Sequence, residues 1–337
     1  MEFVLLVSLF LLVIGIFELY PTKVLKVKSC PPSEEKNLSP QKGQKSFVVH
    51  VHSCFSYDSL GKPEQIEYTA QKLGIDVVFV TDHDNDLIKF YPSSLIRAGK
   101  EFQDTQYGRL LTLPLKGKTL YVIAHPNNRK KPQYQWRGNY KPDFLYELID
   151  LKDVITEAPK MLKVYFLLRS VVLYPFIGFR VGDYFPKLIP IKDWVKIYLQ
   201  RTEGKLKTIG GLDHHIKFSF WEKAKKNFSF PPYEVSFYIL QNRTWEEDLD
   251  KALLEGKFYL SLCGFSLYVQ GKEIKTCHPK VIFEHHTADG KVFYIEKGCI
   301  ESNKTRVVVV YKYLFKLGNI YFGFQPMAVI DSFLLEE

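Results

Sequence analysis

Cysteine is scarce in this chain, and its placement follows no pattern. Cys30, Cys54, Cys263, Cys277 and Cys299 form neither a CxxC pair nor a disulfide framework. An odd number leaves at least one thiol unpaired in a monomer. Cys277 and Cys299 can pair, though nothing demands it, so cysteine usage fixes no redox compartment. A dense Lys/Arg block interleaved with aromatics is also missing, and the net charge of +9 does not by itself imply nucleic-acid binding. That charge fits either a solvated basic surface near an anionic membrane or attraction of anionic substrates such as phosphate esters. Internal repeats are absent.

The longest uncharged apolar run is Phe3 to Phe17, fifteen residues, short for a bilayer span and also compatible with a signal-peptide core. Against a cleaved signal, Glu2 stands where a basic start is usual, and no small-x-small cleavage site precedes Pro21. Val27-Lys28-Ser29 before Cys30 is not a lipoprotein box. Residues 1–22 are therefore read as a single N-terminal transmembrane anchor, with a cleaved signal segment and a secreted body as the alternative. Lys23, Lys26 and Lys28 follow, which by the positive-inside rule favours a cytoplasmic body. Residues 23–45, with Pro31-Pro32, Ser33, Asn37, Ser39-Pro40 and Gly43, read as a polar linker.

What the 337 residues do contain is an ordinary globular composition, 46% hydrophobic and 25% charged, with 21 Tyr and 26 Phe to bury. From Phe47 onward, short β-branched runs end in metal-binding side chains. Phe47-Val48-Val49 leads to His50 and His52, and Val77 to Val80 leads to Asp82-His83. Leu120 to Ile123 leads to His125, Lys207 to Leu212 leads to Asp213-His214-His215, and a weaker run, Val154 to Thr156, leads to Glu157. Such runs suggest buried parallel strands. The span Lys62 to Leu73, with Pro63 at its start and Gly74 as its stop, predicts a helix between the first two strands. Residues two apart on a strand point to the same side, so His50 and His52 face one site. In a β/α barrel the strand ends meet on one rim, where imidazoles and carboxylates can bind divalent metals.

Residues 161–191 are hydrophobic but interrupted by Arg169, Arg180 and Asp183, and read as an insertion, either a lid or a surface-lying segment. Helix is expected over Trp194 to Leu199 and Trp245 to Leu254, with strands at Val235 to Leu240 and Phe258 to Ser261. Beyond Phe265 short strands separated by turns (Val281 to Glu284, Lys291 to Ile295, Thr305 to Tyr311 and Asn319 to Phe324) predict a small β-sandwich over 265–337.

In order, these motifs resemble the PHP (polymerase and histidinol phosphatase) superfamily. The H-x-H opening is His50-Val51-His52, followed by Ser53, Ser56 and Asp58. Thr81-Asp82-His83 matches T-D-H, Gly99-Lys100-Glu101 matches G-x-E, Ala124-His125-Pro126 matches A-H-P, and Gly211 to His215 matches the closing motif. The resemblance implies a distorted (β/α)7, TIM-like barrel over 46–264, and a metal-dependent hydrolase.

It further implies two or three divalent ions, Mn, Fe or Zn, held by His50, His52, Asp58, His83, Glu101, His125, Glu157, Asp213 and His215. His50, His52, Glu101 and Asp213 would share one ion. Glu101, His125 and Glu157 would hold a second, with Asp153 competing for the place of Glu157; Asp58, His83 and His215 would hold a third. His214 stands as an alternative to His215. Two carboxylates in place of histidines favour harder ions. The implied reaction is hydrolysis of a phosphate mono- or diester by metal-bound water, with Asp82 and His214 as proton-transfer candidates and Arg129 and Lys130 on the substrate. The substrate would be a phosphorylated small molecule or a lipid-linked phosphate. An amide or lactone hydrolase and a non-catalytic, membrane-tethered binding module are the alternatives. Oligomeric state is not legible.

Overall fold

The computed structural model describes residues 8, 12, 14–24, 27–28, 43–104, 106–217, 231–270, 273–296 and 305–334. Lys45–Val51 is a strand buried along nearly its whole length, as its Val-rich composition requires. The helix Pro63–Leu73 follows, stopped by Gly74 in the left-handed conformation (φ 65°), and buries Ile66, Thr69 and Ala70. Val77–Val80 then returns parallel to the first strand, Val48 opposite Val78. To this point the chain forms the expected strand–helix–strand unit.

The next part departs from regular alternation. Ile96–Ala98 pairs parallel with Val77–Val80. After Gly99 the chain continues as Lys100–Asp104 and turns into two antiparallel strands, Gly108–Leu115 and Lys118–Ile123. Gly99 has no room for a side chain, because a Cβ would sit 2.2 Å from the Thr112 carbonyl oxygen. Leu145–Asp150 runs parallel to Lys118–Ile123, and Lys207–His214 parallel to Leu145–Asp150. Lys207–His214 also pairs with the opening strand, Gly211 opposite Val49, so the first and last parallel strands are neighbours. The result is a mixed α/β fold whose parallel strands all direct their C-terminal ends to one rim. Phe47, Val49, Phe79, Leu111, Val122 and Ile209 fill the space behind that rim.

Several sequence expectations are corrected. Val154 to Thr156 is not a strand: Leu151–Glu157 is a helix, capped by the Asp150 carboxylate, which accepts from the Asp153 amide at 2.7 Å. Val235 to Leu240 is likewise mostly helical, Tyr233–Ile239, starting after Pro232 and burying Val235, Phe237 and Ile239. Burial on several faces overrides β-branched propensity there. The C-terminal strands do not make a separate sandwich. Val281–Thr287, Thr305–Lys312 and Gln325–Asp331 join the same sheet, through pairing of Gln325–Asp331 with Tyr259–Leu262 and of that strand with Leu240–Thr244. The boundary at 264–265 thus falls inside a continuous sheet.

The last two residues of the expected anchor and parts of the expected linker enter sheets. Pro21–Lys23 pairs with Ile320–Phe322, and Val27–Lys28 with Tyr294–Ile295. Half of the anchor at 1–22 (residues 1–7, 9–11 and 13), residues 25–26 and 29–42 of the linker, and Cys30 and Cys299 lie outside the described residues. The hydrophobic insertion forms a long helix, Lys160–Ile177, and a 3-10 segment, Gly178–Leu188. The Lys160–Leu188 stretch is long and apolar enough to cross a membrane, and it is internal to the chain.

Asp331 fastens the C-terminal strand to Lys207–His214. Its buried carboxylate accepts from the Thr208 amide at 2.6 Å and from the Thr208 hydroxyl at 3.0 Å. An Asp331→Ala change leaves both donors buried and unpaired, and should cost about 2–3 kcal/mol in urea unfolding at pH 7. The loss should fall on a single transition monitored at the metal-site end as well, whereas an independent C-terminal domain would unfold separately.

Candidate metal centre

Local backbone geometry turns the strand ends inward. His50, His125 and Asp213 each have positive φ (61°, 51° and 41°), a conformation that non-glycine residues adopt at a cost of order 1 kcal/mol or more. Three of the six described non-glycine residues with positive φ are therefore expected metal ligands. This clustering marks the rim as a built site.

Glu101 lies at its centre, fully buried. Its Oε2 is 3.3 Å from His50 Nε2, 3.2 Å from His52 Nε2 and 3.2 Å from His83 Nδ1. Its Oε1 is 3.4 Å from His125 Nε2 and 2.7 Å from Arg109. Asp213 approaches the same group: 3.4 Å from His52, 3.6 Å from His125, and 3.3 Å from His215 Nδ1. Asp58 completes one flank, 3.4 Å from His83 and 3.1 Å from His215.

Three overlapping ligand groups result. His50, His52, Glu101 and Asp213 form one, the set expected for the first ion. His52, Asp58, His83 and His215 form another, which is the expected third set with His52 added. The remaining group is His50, His125, Asp150 and Asp213. Here the structure corrects the sequence reading. Glu157 sits at the end of its helix and binds the Arg129 side chain and the amides of Arg129 and Lys130. Asp150, at the end of the Leu145–Asp150 strand, takes the place expected of Glu157. Asp153 stands behind His125, accepting at 3.2 Å from its Nδ1.

Both proton-transfer candidates are turned away from the group. Each carboxylate oxygen of Asp82 accepts from Ser53, one from the amide and one from the hydroxyl, both at 2.6 Å. His214 points at the Pro231 carbonyl, and burial together with neighbouring His215 lowers its pKa to about 3. His215 faces the ligand groups and His214 does not. Arg129 and Lys130 are exposed and do not line the cleft over the metal group. The cations that do are Arg109, Lys131 and Lys152, beside Tyr57 and Tyr134.

Glu147 went unnoticed in the sequence and organises the centre. One oxygen accepts from His50 Nδ1 at 2.7 Å and the other from the His125 amide at 2.9 Å. Gly211 is required beside it, since a Cβ there would lie 1.8 Å from Glu147 Oε1. The pattern that would have revealed Glu147 and Asp150 is the run Leu145 to Asp150, apolar and ending in a carboxylate like the others. Arg109 and Lys152 carried no comparable signal.

Whether these residues suit a cation is tested by the atoms left over. Nε2 of His50, His52, His125 and His215, with Oε2 of Glu101 and Oδ2 of Asp150 and Asp213, are buried and make no hydrogen bond, although several lie at ion-pair distance. Buried polar atoms are ordinarily satisfied. Leaving several unpaired costs a few kcal/mol each, unless a ligand takes them. Imidazole and carboxylate donors converging within one metal coordination sphere fit divalent cations of borderline to hard character.

The electrostatics agree. Burial opposes charge on His50, but Glu147, Asp213 and Glu101 outweigh it and hold its pKa well above the usual range. His125 is raised against burial by Asp153 and Asp150. Glu101 and Asp213 are held well below the carboxylate range despite burial, by His50 and by Lys152 respectively, among others. Burial, Asp153 and Glu147 push Asp150 up to about 7. The buried carboxylates thus favour positive charge at the centre of the group.

The chain belongs to the PHP domain family, whose model matches residues 49–230, more than half of its length. A crystal structure of a two-domain protein from Bacteroides vulgatus, containing a predicted PHP-like metal-dependent phosphoesterase, aligns over 86% of this chain and 94% of its own. The two share 11% identity with a TM-score of 0.40. No curated protein matches the chain.

Two outcomes are expected. Glu147→Gln should keep the fold and weaken metal binding about 10–100-fold in a chelator competition, because it orients His50 without ligating. Metal loading at pH 7 should release protons from His50 and His125, and affinity should fall as pH is lowered because protons compete with the metal for those imidazoles. Calorimetry in buffers of different ionisation heat measures that release; none at pH 7 would contradict the protonated apo-state.

Proposed function

We propose that this protein is a metal-dependent phosphoesterase that hydrolyses a phosphate mono- or diester, soluble or lipid-linked. The observation that carries the reading is the set of orphaned ligand atoms opening into a cleft rimmed by cations. The ring of strands behind them is read as the distorted barrel of the family, and two or three Mn, Fe or Zn ions as its complement. Asp58 and Asp150 tilt the donor set toward the harder ions Mn and Fe. When bound, such ions acidify water and neutralise charge on a phosphoryl group.

The remaining roles belong to the chain. His50, His52, Glu101 and Asp213 hold the central position, with Asp150 and His125 on one side and Asp58, His83 and His215 on the other. Lys152, half-exposed with its Nζ 3.0 Å from Asp213 Oδ2, presents positive charge at the edge of the cleft. Arg109 is fixed by Glu101 and lies 3.8 Å over the Tyr134 ring, so its guanidinium is preorganised toward an anion. Tyr57 stacks on His83 at 4.9 Å and bounds the opening. The cleft, about 120 Å³, is well below the roughly 300 Å³ of pockets that enclose whole drug-sized ligands. It suits a phosphoryl end with the rest of the substrate outside.

An amide or lactone hydrolase would not use three cations around the mouth, and a scaffold without turnover would have no cause to keep the ligand groups complete. On phosphoester panels, Lys152→Ala and Arg109→Ala should raise KM about tenfold or more, corresponding to one lost charge-assisted hydrogen bond. Arg129→Ala should leave kcat/KM within about twofold. Equal effects of the three changes would contradict the assignment of the anion-facing residues.

A further inference from the structure

The helix Lys160–Ile177 is built inside out. None of its residues is buried, and its outward positions are apolar: Met161, Val164, Leu168, Val171, Val172 and Phe176, with Val171 64% and Phe176 80% exposed. Its polar members Lys163, Arg169 and Ser170 lie on the half-buried side that faces the body. At 3.6 residues per turn the outward apolar positions span an arc of about 140°, which the exposed Leu167 widens to about half of the circumference. A soluble protein gains nothing from that arrangement, and a helix apolar on its outer side needs an apolar surrounding.

A second apolar element lies beside it. Phe17 stacks on Tyr165 at 4.5 Å, and Glu18 pairs with Arg169 at 2.7 Å and with Lys187 at 3.3 Å. These pairs satisfy the charges that would otherwise make the segment costly in lipid. Leu12, Ile16 and Tyr20 of the N-terminal segment are exposed, as the helix is. Basic residues collect near the foot of the helix. Lys160 begins it, and the loop bearing Arg129 and Lys130 is tied by hydrogen bonds to Glu157 and Thr156, just before it. Cations around an apolar element match the anionic headgroups over a hydrocarbon layer.

From these observations we infer that Lys160–Ile177 embeds in an anionic lipid bilayer alongside the N-terminal segment, lying in the interface without crossing it. Its length, about 27 Å at 1.5 Å per residue, approaches the hydrocarbon thickness. Crossing is excluded by topology. The strands Leu145–Asp150 before it and Lys207–His214 after it are parallel neighbours in one sheet, and the following 3-10 segment buries Val181, Tyr184, Phe185 and Leu188 in the same domain. A second copy of the chain is the competing occupant, but a helix-pair seam covers a narrower stripe than this.

The test uses the full chain and vesicles of phosphatidylcholine and phosphatidylglycerol at about three to one. Leu168→Glu, Val171→Glu and Val172→Glu together should lower vesicle partitioning about tenfold or more, while circular dichroism and metal content stay those of the wild type. A gain-of-signal measurement guards against misfolding: Val171→Trp should be quenched by bromine-labelled acyl chains, and Lys118→Trp, on an exposed strand position elsewhere, should not. Unchanged partitioning of the triple variant, or no bromine quenching at position 171, would overturn the inference. So would a wild-type chain that ignores vesicles and forms a dimer dispersed by the triple variant. None of these readouts depends on phosphoesterase turnover.

Discussion

A fully buried carboxylate, Glu101, faces four histidines within 3.2–3.4 Å, and the fold around it is organised to make that tolerable. A buried charge without compensation costs several kcal/mol. Compensation here comes from imidazoles at the ends of neighbouring strands and from Arg109 on the hairpin that replaces a strand–helix unit. The positive φ angles at His50, His125 and Asp213, and the side-chain-free space at Gly211, serve the same end. Strain at the rim is set against a core of Phe47, Phe79 and Val122 that holds the strands in place.

The outer ring of partners explains why the centre is not merely a salt-bridge network. Glu147 locks one face of His50, Asp153 locks one face of His125, and in each case the other ring nitrogen is left without a hydrogen bond. A network built for stability alone would have closed those bonds. The arrangement instead fixes imidazole direction and keeps an atom free, as second-partner residues do around metals.

Much of this was legible in the sequence, and the failures have definite causes. His50, His52, His83, His125, Asp213 and His215 stand after β-branched runs, so their convergence followed from strand ends meeting on one rim. Glu101 was found through its glycine, which the structure shows to be needed beside Thr112. Glu157 was wrongly favoured because Val154 to Thr156 looks like a strand, whereas the Asp150 cap makes it a helix and puts Asp150 itself in the site. Arg109 and Lys152 were invisible because an antiparallel strand and a first helical turn, neither anticipated, deliver them. The C-terminal strands were recognised as strands but not as members of the same sheet. Pairing between Tyr259–Leu262 and Gln325–Asp331 is a long-range contact that local pattern does not encode.

The central claim is that the buried ligand groups are sites for divalent cations. Crystals of the full chain loaded with Mn²⁺ and measured at the Mn absorption edge test it most directly. Anomalous peaks are expected between His50, His52, Glu101 and Asp213, and in at least one of the two flanking groups, at His125–Asp150 or at Asp58–His83–His215. A well-ordered structure with no peak among these residues, after loading at a pH where the imidazoles are free, would contradict the account.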